Sequence, residues 1–222
     1  MVVLSIAARR CLQRNSFATT RRFLMTLPSF SLEGKTCVVT GAARGLGKEF
    51  LTAFALSGAR GACIDLSLEA GDKAIQHISQ RAFSQSSTAS YKPDLRAYAC
   101  DVTSEAHVKD TWEAIVKDFG QVDVMVTAAG IVDNVEGENY ALNRWQKMFD
   151  INVHGSFLFA REAGRYWIEQ KKKGNLILVS SMSAHICVRP QKQAAYNASK
   201  AAVSLMGKSL ATEVCMTYHH AA

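Results

Sequence analysis

A doubly wound parallel α/β sheet with helices on both faces is predicted by three observations. From Thr36 onward, short β-rich runs alternate with longer segments of helical periodicity, the pattern of a parallel sheet covered on both sides. The first run leads into a glycine-rich turn, Thr40-Gly41-Ala42-Ala43-Arg44-Gly45-Leu46-Gly47, and a helical pattern follows it. The chain has 222 residues and is 48% hydrophobic, enough for one domain with a full core and too short for two.

Strands are expected at 36–40, 61–65, 96–101, 122–127 and 175–180. Between the first two, a helix is expected over 47–56, because Phe50 and Phe54 recur at helical spacing and Gly58 is placed to end it. A second helix is expected over 68–81, followed by a polar tract from Ser84 to Ser90 that reads as a surface loop. Ser104 is positioned to cap a third helix reaching Phe119. Leu142 to Ile168 reads as a long helical stretch interrupted near Asn152 and Gly155. Leu176-Ile177-Leu178-Val179 is an unbroken apolar run, as in a central strand buried on both faces.

Composition excludes several function classes. No apolar run is long enough for a membrane span. The formal charge of +7 invites a nucleic-acid reading until it is located: Arg9, Arg10, Arg14, Arg21 and Arg22 all precede the first acid, Glu33, and leave 21 basic against 19 acidic residues beyond. The body is nearly neutral, so no nucleic acid is expected as a partner. Lys171-Lys172-Lys173 reads as a solvated turn. Residues 1–30 are rich in Arg, Ser and Thr and free of Asp and Glu, the composition of a mitochondrial transit peptide, which points to the matrix and leaves 31–222 as the folded domain. A disordered basic tail, or an internal start at Met25 giving a cytoplasmic form, are the alternatives. Of six cysteines, Cys37, Cys63 and Cys100 fall in expected strands as small buried hydrophobes. Their spacing suggests neither a metal site nor a disulfide framework.

The glycine-rich turn carries the first chemical signal. Gly41, Gly45 and Gly47, with Arg44 and Leu46 between them, let backbone approach a pyrophosphate, and the helix start offers unpaired N–H groups to an anion. Asp65 ends the second strand, where a carboxylate accepts hydrogen bonds from ribose hydroxyls and repels a 2′-phosphate, so NAD is favoured. Arg44 beside the turn keeps NADP open. Asp101 and Val102, after the third strand, are placed to contact adenine, with Asp101 as a helix-leading cap the alternative.

Tyr196-Asn197-Ala198-Ser199-Lys200 carries the second signal, behind Ser180-Ser181-Met182-Ser183 at the end of the fifth strand. Tyr196 and Lys200 are four apart on a predicted helix and share one face. A phenol titrates at about 10, and a neighbouring ammonium favours its phenolate, which makes a general base for an alcohol proton.

With these motifs, the chain from Ser31 to Glu213 resembles a short-chain dehydrogenase/reductase (SDR) with a Rossmann fold. The resemblance implies that Tyr196 is the acid/base and that Lys200 assists it and holds the nicotinamide ribose. It also implies that a strand-5 serine binds the substrate oxygen and that Asn152, in Ile151-Asn152-Val153, anchors a water chain to the lysine. The second serine of the pair is Ser181, whereas the commonest family spacing to the tyrosine gives Ser183; Ser181 is preferred, with a loop longer by two residues. Thr127-Ala128-Ala129-Gly130 departs from the family's asparagine-rich motif, yet Ala129 and Gly130 keep the small residues over which a cofactor can lie.

Met182 to Ile186 and Pro190 to Asn197 are similar to fungal sugar-alcohol dehydrogenases of the sorbitol, arabinitol and xylulose type. A polyol wants several hydrogen-bonding groups, which Ser183, His185 and Gln191 can supply. The expected reaction interconverts a secondary alcohol, a polyol or sugar alcohol, and a ketone with NAD, or with NADP. A mitochondrial 3-oxoacyl thioester reductase using NADPH is the enzyme alternative. Only 22 residues follow Lys200, so the chain is expected to lack the last family strands. A truncated nucleotide-binding remnant without catalysis is therefore a third reading. For a complete chain the resemblance implies a homo-oligomer.

A reporter fused behind residues 1–30 is expected to enter mitochondria, with a mature N-terminus between Arg22 and Glu33. Diffuse cytosolic signal with an intact Met1 in the mass spectrum would refute the targeting.

Overall fold

The structure, a computed structural model, describes residues 30–85 and 92–219. Five strands form one sheet: β1 (Thr36–Thr40), β2 (Arg60–Asp65), β3 (Leu95–Ala99), β4 (Val124–Thr127) and β5 (Asn175–Leu178). They run parallel in the order β3-β2-β1-β4-β5. The chain winds outward from β1 in one direction and then the other. The C-terminal ends of β1 and β4 therefore lie side by side where the direction reverses.

Strand alternation sorts the core into two layers. Cys37, Val39, Cys63, Val124 and Val126 point to one face, where α1 (Gly45–Leu56) and α2 (Leu68–Gln85) cover them with Leu51, Ala55, Ala74 and Ile78. Val38, Ala62, Ile64 and Met125 point to the other. There α3 (Glu105–Phe119) contributes Trp112 and Ile115, and α5 (Gly155–Glu169) contributes Phe159, Ala163 and Trp167. The sheet interior is thus buried on both sides, which explains its β-branched and apolar runs.

The helices obey their sequence signals. Ser104 accepts a hydrogen bond from the His107 N–H and starts α3, while Gly120 ends it in the left-handed region at φ 73°. The stretch from 142 to 169 is continuous but changes pitch: α4 (Leu142–Phe149), a π-helical segment (Asp150–His154), then α5. The expected interruption near Asn152 and Gly155 is this widened turn. A last helix, α6 (Ala194–His219), packs on α5 and β5.

Three expectations shift. The polar tract does not begin at Ser84: α2 continues to Gln85, and the Ser84 hydroxyl bonds back to the Gln80 carbonyl within the helix. Residues 86–90 of that tract lie outside the described ones, as do residues 1–29 of the leader. Strand β3 stops at Ala99, so Cys100 and Asp101 form the turn beyond it, though Cys100 stays buried. Most consequentially, β5 is an edge strand rather than a central one, and Ile177 is 44% exposed. On the opposite side of β5, Leu176 and Leu178 line a groove of about 620 Å³ with α5 and α6.

Phe159 is completely buried between α5 and the sheet. Phe159→Ala is expected to cost about 3–5 kcal/mol, read as a lower midpoint in urea unfolding, because the cavity cannot collapse between rigid strands.

Candidate active site

The glycine-rich turn links β1 to α1 at the reversal point. Gly41 and Gly45 hold φ of 65° and 56°, which side-chain-bearing residues rarely adopt. Space is equally restrictive. A Cβ on Gly41 would lie 2.7 Å from the Ala129 Cα, and one on Gly47 would lie 2.4 Å from the Gly41 carbonyl oxygen. The α1 N-terminus has no side-chain cap and no acidic residue in its first turn. Its N–H groups face a cleft of about 410 Å³. Bare backbone, an uncapped helix start and close-packed glycines fit a dinucleotide pyrophosphate.

All ten residues expected to hold the cofactor, outside the catalytic helix, line that cleft. Gly41, Arg44, Gly45, Leu46 and Gly47 form its floor, Asp65 stands at one side, Asp101 and Val102 lie beyond, and Ala129 and Gly130 close the far end. Asp65 accepts the Ala43 N–H at 3.0 Å and the Leu66 N–H at 2.8 Å, which aims its carboxylate at the turn. Asp101 accepts the Thr103 hydroxyl at 2.7 Å and the Thr103 N–H at 2.9 Å. Those bonds, the hydroxyl's first, hold its carboxyl below the usual range. Ser104, not Asp101, caps α3, so the cap alternative for Asp101 is not what the structure contains.

Sequence reasoning missed Leu66, Cys100, Ala128, Ile131 and Ile151 in the lining. Each is an ordinary apolar or small neighbour of a recognised residue, and only adjacency marked it. It also left Thr40 without a role. The Thr40 hydroxyl accepts both the Ala128 and the Ala129 N–H at 3.1 Å and ties the end of β1 to the end of β4.

Beyond Gly130 the cleft meets the catalytic candidates. A Cβ on Gly130 would lie 3.2 Å from Asn152 Oδ1 and 3.5 Å from Lys200 Nζ, so three sequence-distant residues converge there. Tyr196 and Lys200 share a face of α6, with the ammonium 5.8 Å from the Tyr196 ring centroid. Lys200 is buried and donates to the Val179 carbonyl at 2.9 Å, and desolvation pushes its pKa below the ordinary lysine value. Asn152, wholly buried, accepts the Ile131 N–H at 2.9 Å and donates to the Ile131 carbonyl at 3.0 Å.

The serines separate by environment. Ser180 bonds to the Lys200 carbonyl at 2.9 Å and to the Ser204 hydroxyl at 2.6 Å, so it fastens β5 to α6. Ser181 is partly exposed, and its oxygen accepts the Ser183 N–H at 3.1 Å at the start of a short 3₁₀ turn (Met182–Ala184). Its own proton remains available to a ligand oxygen. Ser183 is buried, whereas His185 and Gln191 are exposed on the segment leading to α6; none of the three lines the cleft. No cluster of metal-ligating side chains occurs among the described residues.

A fold that winds both ways from β1, with a glycine-rich turn at the reversal and a Tyr-Lys pair at the end of the cleft, defines a dinucleotide-binding type of α/β scaffold. Residues 35–217 match the short chain dehydrogenase family, and the chain belongs to it. It is 36% identical over 191 residues to sorbose reductase SOU1 of Candida albicans, covering 84% of this chain and 63% of that one. It is 34% identical to an NADP-dependent mannitol dehydrogenase of Alternaria alternata, covering 83% and 66%, and 30% identical to an NADH-dependent L-xylulose reductase of Ambrosiozyma monospora, covering 84% and 69%. A short-chain type dehydrogenase/reductase from Mycobacterium marinum superposes with a TM-score of 0.78 at 31% identity, covering 85% and 72%. The chain thus spans 63% of the length of the sorbose reductase.

Asp65→Ser is expected to shift the ratio of NAD to NADP dissociation constants about tenfold toward NADP, a change of about 1.4 kcal/mol. Calorimetric titration of both nucleotides reads it, and a wild type that already prefers NADP would overturn the role given to Asp65.

Proposed function

We propose that the chain is an NAD(P)-dependent oxidoreductase that interconverts a secondary alcohol, of the polyol or sugar-alcohol class, and a ketone. The observation that carries this reading is the convergence of Lys200 and Asn152 on Gly130, at the end of a cleft lined by the glycine-rich turn. The names of the relatives support the substrate class.

In this reading Gly41, Gly45 and Gly47 hold the pyrophosphate, Asp65 the adenosine ribose, Asp101 and Val102 the adenine, and Lys200 the nicotinamide ribose. When bound, the nicotinamide accepts a hydride from the alcohol carbon or returns it to the ketone. Tyr196 takes the alcohol proton onto its phenolic oxygen during oxidation and gives it back during reduction. Ser181 donates its free hydroxyl proton to the oxygen that becomes the carbonyl. Asn152 keeps Gly130 and Ile131 in place at the end of the cleft. Burial of Lys200 strengthens every interaction its ammonium makes at this site. Ser183, His185 and Gln191 stay candidates for the outer hydroxyls of the substrate. The leader's composition supports delivery to the mitochondrial matrix, and the family supports a homo-oligomer.

Tyr196→Phe keeps the ring and removes the transferable proton. Its polyol oxidation is expected to fall at least 100-fold while nucleotide affinity changes less than about twofold. A variant that keeps more than about a tenth of the rate would refute the acid/base role. If the wild type reduces 3-oxoacyl thioesters with NADPH and leaves polyols untouched, or binds nucleotide and oxidises no alcohol, the proposed reaction is wrong.

A further inference from the structure

Ser199 is wholly buried on α6, between the two catalytic candidates in sequence, and its hydroxyl makes two bonds. It donates to the Tyr196 carbonyl at 2.8 Å and accepts from Asn152 Nδ2 at 2.9 Å. A hydroxyl has one proton and two lone pairs, so these roles are mutually consistent and neither displaces the other. The first bond alone would be the common back-bond of a helical serine. The second spans 47 residues and reaches an amide that also accepts the Ile131 N–H and donates to the Ile131 carbonyl and to the Met148 sulfur.

We infer that Ser199 is a positioning residue for the reaction proposed above, joining α6 through Asn152 to the backbone at Gly130 and Ile131. Three elements meet in this one buried polar chain. The turn after β4 enters through Ile131, the π-helical segment through Asn152, and α6 through Ser199. The adjacent Lys200 is bonded to Val179 at the end of β5, so α6 is pinned to both loops that frame the site. A fixed distance from Tyr196 to the floor at Gly130 is what a proton transfer concerted with hydride transfer requires. Ser199 does not reach the substrate itself, being enclosed, and acts only through Asn152 and Tyr196.

The test uses the full chain with Ser199→Ala, Asn152→Ala and their combination. Ser199→Ala is expected to lower kcat about tenfold while KM for the alcohol and nucleotide affinity stay within about twofold. In the Asn152→Ala background the same substitution should cost less than about twofold, because the bond it removes is already gone. Losses that multiply, or an unchanged kcat with a lowered melting temperature, would overturn the inference. Ser199→Cys keeps the size and weakens the bonds, and it gives the same reading if the alanine variant does not fold. A second measurement needs no turnover. Exchange of the Ile131 amide proton, held by Asn152 Oδ1, should be about tenfold faster in Ser199→Ala than in wild type, and unchanged exchange would overturn the coupling. A wild type that oxidises no alcohol refutes the proposed function and leaves the exchange experiment to decide this point.

Discussion

The meeting of β1 and β4 at their C-terminal ends is the contact on which everything else depends. One hydroxyl, that of Thr40, accepts the N–H groups of Ala128 and Ala129, and Gly41 approaches Ala129 so closely that no Cβ fits between them. That approach sets the depth of the cleft. A side chain at Gly41 would push the glycine-rich turn away from the β4 turn, and the ligand groove would lose its common floor. Because β1 is also the central strand, the same displacement would pass to β2 and β4 and into both core layers. The site is therefore not an addition to the fold; it lies where the winding direction changes, and the backbone pairing there is part of both.

Much of this was legible in the sequence, for identifiable reasons. The glycine-rich turn announced itself because positive φ and close approach leave glycine as the only residue that fits. Ser104 marked the start of α3 because capping chemistry is local. Tyr196 and Lys200 could be paired because helix geometry fixes their shared face, and Asp65 and Asp101 could be placed because parallel strands deliver their ends, and the turns that follow them, to one edge. What stayed hidden is chemistry between segments with no fixed spacing. Glu136 pairs with Lys192, and Asp133 holds both Arg144 and Tyr140, so the segment after β4 is closed on itself and tied to the approach to Tyr196. Nothing in a one-dimensional pattern marks such partners.

The reading of β5 shows a different limit. An unbroken apolar run reports the surroundings that suit a strand, and Leu176 to Val179 suits burial on both faces. It does not report which neighbours are present. In the structure one neighbour is β4, whose pairing continues one residue past the strand, from the Val179 N–H to the Thr127 carbonyl. Among the described residues no strand pairs with its other edge, and Ile177 is partly exposed. Even so, β5 performs its task for the site. The Val179 carbonyl holds Lys200 and the Ser180 hydroxyl holds the Lys200 carbonyl, so α6 is anchored to the sheet by polar bonds at the strand end.

The widened turn between α4 and α5 draws these features together. An extra residue in a helical turn rotates everything after it by about 100° relative to a regular helix. Here the π-helical segment lets successive residues serve different neighbours: Ile151 lines the cleft, while Asn152 turns inward to Ile131 and Ser199. The rotated helix then presents Gly155 to Val102, where a Cβ would come within 2.7 Å of the valine side chain. The Ser156 hydroxyl occupies the Asn152 carbonyl at 2.8 Å, which satisfies an acceptor that the changed pitch disturbs. One helix thereby touches one end of the cleft through Val102 and the other, at Gly130 and Lys200, through Asn152. A regular helix of the same length would have to give up one of the two contacts. The irregular turn is thus a requirement of spanning the whole cleft with a single rigid element, and the polar residue within it is buried because it faces α6.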